Sequence, residues 1–262
     1  MVNRDTLTKK AVLFGVSKFK LVNFITILFV VLFISCNKDT APDIVKTTGK
    51  TSTQKRILSS FNTVELYSNI QLLLIADTID FIEIQAGENL LPKIYSGIKS
   101  NTLVIKNTNK FNFMRSYKDS IIAKLHYKNL GHIKYYGAGN ITTQNILTAN
   151  EFAFESWYGS GHCFFNLNTT VSSFGFHTGI VDLELRGTSA ENRLYATEQG
   201  IIQASNLNTK TCLCNNRGVA NFFIKATTEI GVEISGEGNI NYTGNATIAY
   251  SKITGKGKLI KQ

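Results

Sequence analysis

The sequence is poor in proline, methionine and tryptophan. Its 262 residues include two prolines, two methionines and one tryptophan. Threonine, isoleucine, asparagine, tyrosine and phenylalanine are abundant instead, and β-branched and aromatic residues favour pleated sheet over helix. Because 43% of the residues are hydrophobic, the chain can bury the core of one large domain or two small ones. The composition predicts a mostly β protein and excludes disorder over most of its length.

Sequence motifs of catalysis and metal binding are also missing. The four histidines form no HExxH pattern, which excludes that class of zinc enzyme. No GxSxG nucleophile elbow occurs, and Ser160 in "YGSGH" has no assignable base. The pair formed by Cys212 and Cys214 lacks further ligands at a useful spacing. We therefore predict no catalytic residue, no metal site and no cofactor.

The first 35 residues are a different kind of segment. Four lysines precede the apolar run "LVNFITILFVVLFIS" at 21–35, which is typical of a secretory signal and shorter than an ordinary membrane span. Cys36 follows directly, and "FIS" before a cysteine resembles a bacterial lipobox, which implies diacylglycerol on the Cys36 sulfur. We predict a signal peptide over 1–35 and a polar, flexible tether over 36–56; an uncleaved anchor helix is the alternative.

The charge of the chain limits its partners. Removal of residues 1–35 takes away five basic residues and one acidic residue, so the formal charge falls from +10 to +6. An exported protein is not expected to meet nucleic acid, and an anionic surface is a possible partner, although scattered lysines usually form a solvated face. We expect a membrane partner through the lipid anchor, and a glycan or an envelope protein as a further partner. The oligomeric state is not indicated.

Glycines recur at a period near 20 residues. The second or lone glycine of each related site is one of Gly139, Gly161, Gly179, Gly200, Gly218, Gly238 and Gly257. Such a period is typical of a solenoid, in which each coil buries its apolar face only against its neighbours. We predict corners between faces at the paired glycines, where crowding favours residues without a Cβ: Gly137, Gly139, Gly159, Gly161, Gly236, Gly238, Gly255 and Gly257.

The positions after each glycine alternate in polarity. The residues two positions on are Ile141, Cys163, Val181, Ile202, Ala220, Ile240 and Leu259, all apolar. Apolar residues at every second position predict strands with one face turned inward. The fold class is therefore predicted as an all-β parallel β-helix of about 20-residue coils. We place this domain over 57–262, with capping strands at 57–130 and glycine-cornered coils at 131–262. A separate small β domain at 57–130 is the alternative.

Three cysteines remain after Cys36. An odd number in an exported protein allows one disulfide and one reactive thiol. Cys163 lies in the inward column, however, and Cys212 and Cys214 occupy positions that are apolar near other corners. We therefore expect all three to be buried free thiols that pack as small hydrophobic residues.

Aromatic residues cluster before the first two corners. Tyr136 and Tyr158 each lie close before a glycine pair, and Trp157 lies beside Tyr158. We predict Tyr136, Trp157 and Tyr158 as a binding surface for sugar rings or a protein, with Tyr136 and Tyr158 stacked on adjacent coils. Packing within an aromatic ladder is the alternative.

The order "FNTVEL", "NTLVIKN", "GAGNI", "GSGHC" and "SGEGNINYTGN" resembles the head GIN domain family of auto-transporter adhesins, found among lipoproteins of Bacteroidetes-type bacteria. The resemblance covers roughly residues 57–260. It implies a β-helix-like fold and a place in the cell envelope, as an outer-membrane lipoprotein that faces either the periplasm or the outside.

Two functions stay open from the sequence. The first is a non-catalytic envelope lipoprotein that presents a rigid β-helix for adhesion or for binding a partner or glycan. The second is a carbohydrate-active enzyme, a polysaccharide lyase or hydrolase, on the same scaffold. Such enzymes need converging carboxylates, and Asp182 and Glu184 are the one close acidic pair within a coil. An ion pair with Arg186 or Lys225 is the simpler interpretation of that pair.

Cys36→Ser tests the lipid anchor. Because the lipid attaches through this thiol, the variant should leave the membrane fraction or remain an unprocessed precursor. Detergent partitioning of the mature chain measures the effect, and normal processing with unchanged partitioning would contradict the lipoprotein prediction.

Overall fold

The computed structural model describes residues 48–109 and 120–262; the predicted signal peptide, Cys36 and most of the tether lie outside these residues. In this part of the chain 15 strands form one hydrogen-bonded sheet, and the prediction of an all-β fold is confirmed. The strands are β1 (Thr51–Ile57), β2 (Thr63–Ser68), β3 (Ile70–Ala76), β4 (Phe81–Gly87), β5 (Ile94–Lys99), β6 (Thr102–Asn107), β7 (Ile121–Tyr127), β8 (His132–Gly137), β9 (Ile141–Thr143), β10 (Leu147–Ala196), β11 (Ile201–Asn216), β12 (Asn221–Ile234), β13 (Ile240–Thr243), β14 (Thr247–Ile253) and β15 (Leu259–Lys261). A short 3₁₀ turn, Leu91–Lys93, precedes β5.

From β8 onward, successive stretches of the chain pair in parallel. Ile202 lies opposite both Leu183 and Phe222, and Ile240 lies opposite both Phe222 and Leu259. The offsets between these partners are 18 to 20 residues. We call each such stretch a repeat, and residues that align across repeats a row.

Alternate residues in each repeat are buried and form the core. Phe152, Phe154, Phe165 and Phe174 are almost wholly buried, and their ring centroids lie 5.3 to 6.2 Å apart in tilted or edge-on contacts. These are favourable geometries for aromatic pairs. The inward rows therefore pack side chain on side chain from one repeat to the next.

β10 is too long to be straight. Its 50 residues would extend on the order of 165 Å at about 3.3 Å per residue. Four residues within it have φ in the left-handed region, namely Tyr158 (63°), Gly161 (125°), Gly179 (102°) and Gly187 (98°). These positions let the strand turn without breaking the ladder to its neighbours.

The glycines fall into two rows, and one predicted alignment is wrong. Gly179 packs on the carbonyl of Gly159, and Gly236 packs on the carbonyl of Gly218. Gly179 and Gly218 therefore belong with the first glycine of each pair, and not with the second as the sequence alignment assumed. The reason is that these two repeats have lost the second glycine, so the lone glycine is the first.

The inward row changes accordingly. Gly200 packs on Val181, so Val181 occupies the second-glycine position, as Ala220 does beneath Gly238. The buried members of the inward row are therefore Leu183 and Phe222, where the sequence alignment placed Val181 and Ala220. The alternation of buried and exposed residues is as expected, with a shift of two positions in these repeats.

Lack of space explains most of the glycines. A Cβ on Gly238 would overlap the carbonyl oxygen of Ala220 in the preceding repeat, and a backbone held in a ladder cannot move aside cheaply. The same overlap with a neighbouring carbonyl exists at Gly137, Gly139, Gly236, Gly255 and Gly257. At Gly159 a Cβ would meet the Tyr135 ring, and at Gly161 the left-handed φ is the constraint.

The parallel stack begins earlier than residue 131, and its first members are out of sequence order. β2 and β3 pair in parallel with β8 and β9 on one side and with β6 and β7 on the other. Ser68, opposite Gly137, adopts a φ of 69° and so replaces a glycine. The stretch 63–76 is thus a member of the stack, whereas the sequence placed it among capping strands.

Antiparallel strands flank this region. β4 pairs antiparallel with both β1 and β7, and β5 pairs antiparallel with β6. β1 begins at Thr51, so residues 51–56 form a strand where the sequence predicts tether. Its side chains are mostly exposed, and backbone pairing with β4 rather than hydrophobic periodicity holds it, which is why the composition gave no indication of it.

Gly238→Val tests the crowding at the turns. The added side chain should lower the free energy of unfolding by about 1 to 3 kcal/mol, because it displaces the adjoining repeat. Repeats contact mainly their neighbours, so amide exchange should accelerate around 235–260 more than around 133–165.

Glu237→Ala is the matched control in the same turn. Glu237 is exposed and contacts only Lys256, at 2.6 Å, which is also exposed, and such surface pairs contribute little. Equal melting temperatures and equal exchange for the two variants would contradict the steric role of Gly238.

Candidate functional site

A groove of about 620 Å³ crosses the outward face of the sheet. Seven repeats contribute to it through one row of outward residues, which are His132, Ala153, Ser173, Arg193, Leu213, Gly231 and Tyr250. At about 4.8 Å per repeat this row extends on the order of 29 Å. The volume lies within the range of small-molecule sites.

Small residues open the floor of the groove. Gly175 is not at a turn, and a Cβ there would approach only side chains, with the Nε2 of His177 at 3.1 Å. A Cβ on Gly231 would lie 2.9 Å from the Cδ2 of Leu213. Ala153 and Ser173 complete this part of the lining. These glycines are therefore explained by the groove rather than by the backbone.

Glu155 lies in the groove between two histidines. Its Oε2 is 3.1 Å from His132 Nε2, and its Oε1 is 3.6 Å from His177 Nε2. The second distance is beyond a hydrogen bond, and the buried Nε2 of His177 has no partner among the described residues. The Glu155 side chain is 37% exposed, so it can accept hydrogen bonds from a ligand.

Glu233 is a second carboxylate in the same row as Glu155, near the other end of the groove. Asn215 Nδ2 donates to its Oε2 at 3.0 Å, and the Tyr250 hydroxyl donates to its Oε1 at 3.1 Å. Tyr250 is 49% exposed. Polar groups that can accept or donate thus line both ends of the groove.

An aromatic stack borders the groove. The Trp157 ring stacks on His177 with centroids 3.8 Å apart and planes 9° apart, and His177 contacts Tyr195 at 5.4 Å. The Arg217 guanidinium lies over the Tyr195 ring at 5.7 Å. Each of these residues is held by its neighbours in adjacent repeats, so the stack is preorganised.

The predicted binding residues occupy different environments. Tyr136 stacks on Tyr67 with centroids 4.7 Å apart, and the register Tyr135 to Ser156 brings Tyr136 opposite Trp157. The predicted stacking of Tyr136 on Tyr158 is therefore wrong. Burial, with a hydrogen bond to Glu65, raises the pKa of Tyr67 to about 12.

Tyr158 is a one-residue insertion in its repeat. The offset to the preceding repeat rises from 21 at Tyr135 and Ser156 to 22 at Ile141 and Cys163, and Tyr158 has a left-handed φ within this interval. Its N–H donates to Thr178 Oγ1 at 2.8 Å, and its side chain is 76% exposed. The extra residue displaces Tyr158 from the row that Tyr136 and Trp157 share.

The acidic pair weighed in the sequence has structural contacts. Glu184 pairs with Arg186 at 2.7 Å, as the simpler interpretation predicts. Asp182 Oδ1 accepts the N–H of Ile201 at 3.1 Å. Neither residue lines the groove.

Cys163, Cys212 and Cys214 are buried and form no disulfide, as the sequence predicts. Burial raises the pKa of the Cys163 thiol far above its usual range. A hydrogen bond to Cys212, whose sulfur lies 3.7 Å away, and burial raise the pKa of Cys214. A thiolate is the reactive form, so these thiols are unreactive in the folded protein.

Two further searches cover residues 48–109 and 120–262. They contain no cluster of three or more histidine, cysteine or acidic side chains arranged as metal ligands. They also contain no helix of the length and apolarity that a membrane crossing requires.

Comparison with known proteins identifies the family. Residues 60–246 match the family model described as "Putative auto-transporter adhesin, head GIN domain". The chain belongs to this family. The resemblance seen in the sequence motifs is thereby confirmed. Among curated proteins the comparison found no match.

Solved structures share the fold of this GIN domain. A "putative adhesin" from Bacteroides fragilis is 22% identical with a TM-score of 0.76, over 81% of this chain and 97% of that one. A "putative lipid binding protein" from Parabacteroides distasonis is 17% identical with a TM-score of 0.65, over 82% and 97%. A "putative adhesin" from Parabacteroides merdae is 21% identical with a TM-score of 0.60, over 83% and 98%. At these identities the likeness extends to the fold alone.

Sequence reasoning missed most of the groove. Glu155, Tyr195 and Glu233 share one row, but their spacings of 40 and 38 residues become visible only once the repeat is aligned. Gly175 and Gly231 were the available indication, because they lie outside the turn rows.

Thiol labelling tests the buried cysteines. At pH 8 a bulky maleimide should leave Cys163, Cys212 and Cys214 unmodified in native protein and label all three after denaturation, as measured by mass spectrometry. Rapid labelling of any of them in folded protein would contradict their burial and raised pKa.

Proposed function

We propose that this chain is a non-catalytic lipoprotein of the cell envelope, anchored in the outer membrane through Cys36, which presents a rigid parallel β-helix for adhesion or partner binding. The observation that carries the proposal is the groove with its aromatic border, a preorganised set of outward groups that the core does not require. Family membership and the lipobox-like sequence before Cys36 support the location.

The repeated parallel pairing supports the β-helix. Offsets of 18 to 22 residues recur from Ile141 to Leu259, and inward rows are apolar along this length. Coils that stack in this way hold outward side chains at fixed spacing, about 4.8 Å per repeat. A rigid surface loses little entropy on binding.

The carboxylate spacing supports binding over catalysis. Glu155 and Glu233 lie four repeats apart in one row, on the order of 19 Å at about 4.8 Å per repeat. Glycosidase carboxylate pairs are about 5 to 9.5 Å apart. The groove carboxylates are therefore placed to hold a ligand at two separate points.

Cell adherence tests the proposal. Cells that display the chain should adhere to mucin-coated surfaces more than cells that lack it, and purified full chain should compete. Trp157→Ala should weaken adherence, because an aromatic anchor contributes about 2 kcal/mol or more to an interface. No sugar fragments should be released from the mucin.

Ile146→Ala is the matched control, since Ile146 is 53% exposed and lies outside the groove. It should adhere like the unchanged chain. Equal adherence of cells with and without the protein would overturn the adhesion proposal, and release of mucin fragments would favour an enzyme.

A further inference from the structure

We propose that the groove binds an uncharged oligosaccharide, with Glu155 and Glu233 accepting hydrogen bonds from its hydroxyls. The proposal rests on the proposed function, because it names the ligand class of the same surface. Its support lies in the shape, the charge and the apolar lining of the groove.

The shape fits an extended ligand rather than a single ring. The groove spans seven repeats, and Gly175 and Gly231 remove side chains from its floor at two separate points. Bulky residues, Tyr195 and Leu213, stand between them. The result is an elongated surface with alternating depressions and apolar ridges, which suits a chain of linked rings.

The charge of the groove favours hydroxyl donors over anions. Among the described residues no lysine or arginine forms an ion pair with Glu155 or Glu233, whose polar neighbours are His132, Asn215 and Tyr250. A carboxylate accepts hydrogen bonds strongly. An anionic ligand would instead face two carboxylates at close range.

The nearby cations have their own partners. Lys134, in the row of Glu155, lies 3.6 Å from Glu65, and Arg193 pairs with Glu191. Arg217 lies over Tyr195. Lys252 lies opposite Glu233 in the register but forms no ion pair with it. None of these cations is therefore placed as an uncompensated anchor for a sulfate, uronate or phosphate.

The apolar surface complements the C–H faces of sugar rings. Leu213 is 41% and Tyr250 is 49% exposed, and each lies beside a polar group of the groove. A sugar ring presents an apolar face and an edge of hydroxyls, and Tyr likewise combines an apolar body with a polar tip. Ring faces can thus contact Tyr250 and Leu213 while hydroxyls reach Glu233.

A peptide or an acyl chain fits less well. An extended peptide binds by adding a strand at a sheet edge, whereas the groove lies on a sheet face whose backbone groups already pair between repeats. A lipid would leave two carboxylates against its acyl chain, and burial of charge against hydrocarbon is costly.

An oligosaccharide array tests the proposal. Detergent-solubilised full chain should bind immobilised neutral hexasaccharides of glucose, galactose, mannose or N-acetylglucosamine, and bind oligogalacturonate and heparin fragments more weakly. Glu155→Gln and Glu233→Gln should each weaken binding about fivefold to tenfold, because hydrogen bonds to charged groups exceed neutral ones. Gly175→Leu should weaken it more than tenfold by filling the floor, and its φ is one that other residues accept.

Thr170→Leu is the matched control, because Thr170 is exposed outside the groove, and its binding should equal that of the unchanged chain. Melting temperatures near the unchanged value ensure that each variant is folded. Preference for the acidic probes, displacement by oleate, or no binding to any neutral probe would overturn the ligand class. Binding unaffected by Gly175→Leu and both Glu→Gln changes would overturn the groove as the site. Adherence to mucin that persists in either case would leave the proposed function standing.

Discussion

The structure depends on the parallel ladder of hydrogen bonds between successive repeats. The ladder holds adjacent backbones at about 4.8 Å, and every other feature must fit that distance. Inward side chains can be large only where the neighbouring repeat offers a complementary shape, as the four stacked phenylalanines do. At the turns the backbones approach too closely for a Cβ, and glycine is the general solution. Where glycine is absent, Ser68 and Tyr158 adopt left-handed backbone and obtain local hydrogen bonds instead.

The sequence predicts much of this because the ladder imposes a period. Glycine spacing and alternating polarity were sufficient for an all-β fold, for inward cysteines and for the glycine turns at Gly236 and Gly238. They were insufficient where a repeat lost one glycine of its pair, since the lone Gly179 and Gly218 cannot show which position they hold. Only the neighbouring backbone, Gly159 for Gly179, decides that. The single-residue insertion at Tyr158 is equally invisible, because period-two alternation resumes on both sides of it.

The outward face could not be derived in the same way. Core positions repeat because each must fill the same volume, whereas outward residues are free to differ from repeat to repeat. Glu155, Tyr195 and Glu233 share a row without sharing a residue type, so no column of like residues announces them. The histidines illustrate the point: no motif connects His132 to His177, yet both approach the same carboxylate from different repeats. A site built along the stack is distributed over about 100 residues of sequence, and its parts meet only through the register.

The out-of-order position of β2 and β3 has a consequence for assembly of the domain. These strands leave an exporting channel first, yet they lie between β6 and β7 on one side and β8 and β9 on the other. The first repeat to emerge must therefore wait for partners from about 50 residues further along the chain, and loop closure of that length precedes any reward from pairing. Later repeats add to a finished edge with contacts only about 20 residues apart. The nucleus of folding is thus confined by topology to the beginning of the domain, and the groove is completed by elongation from it.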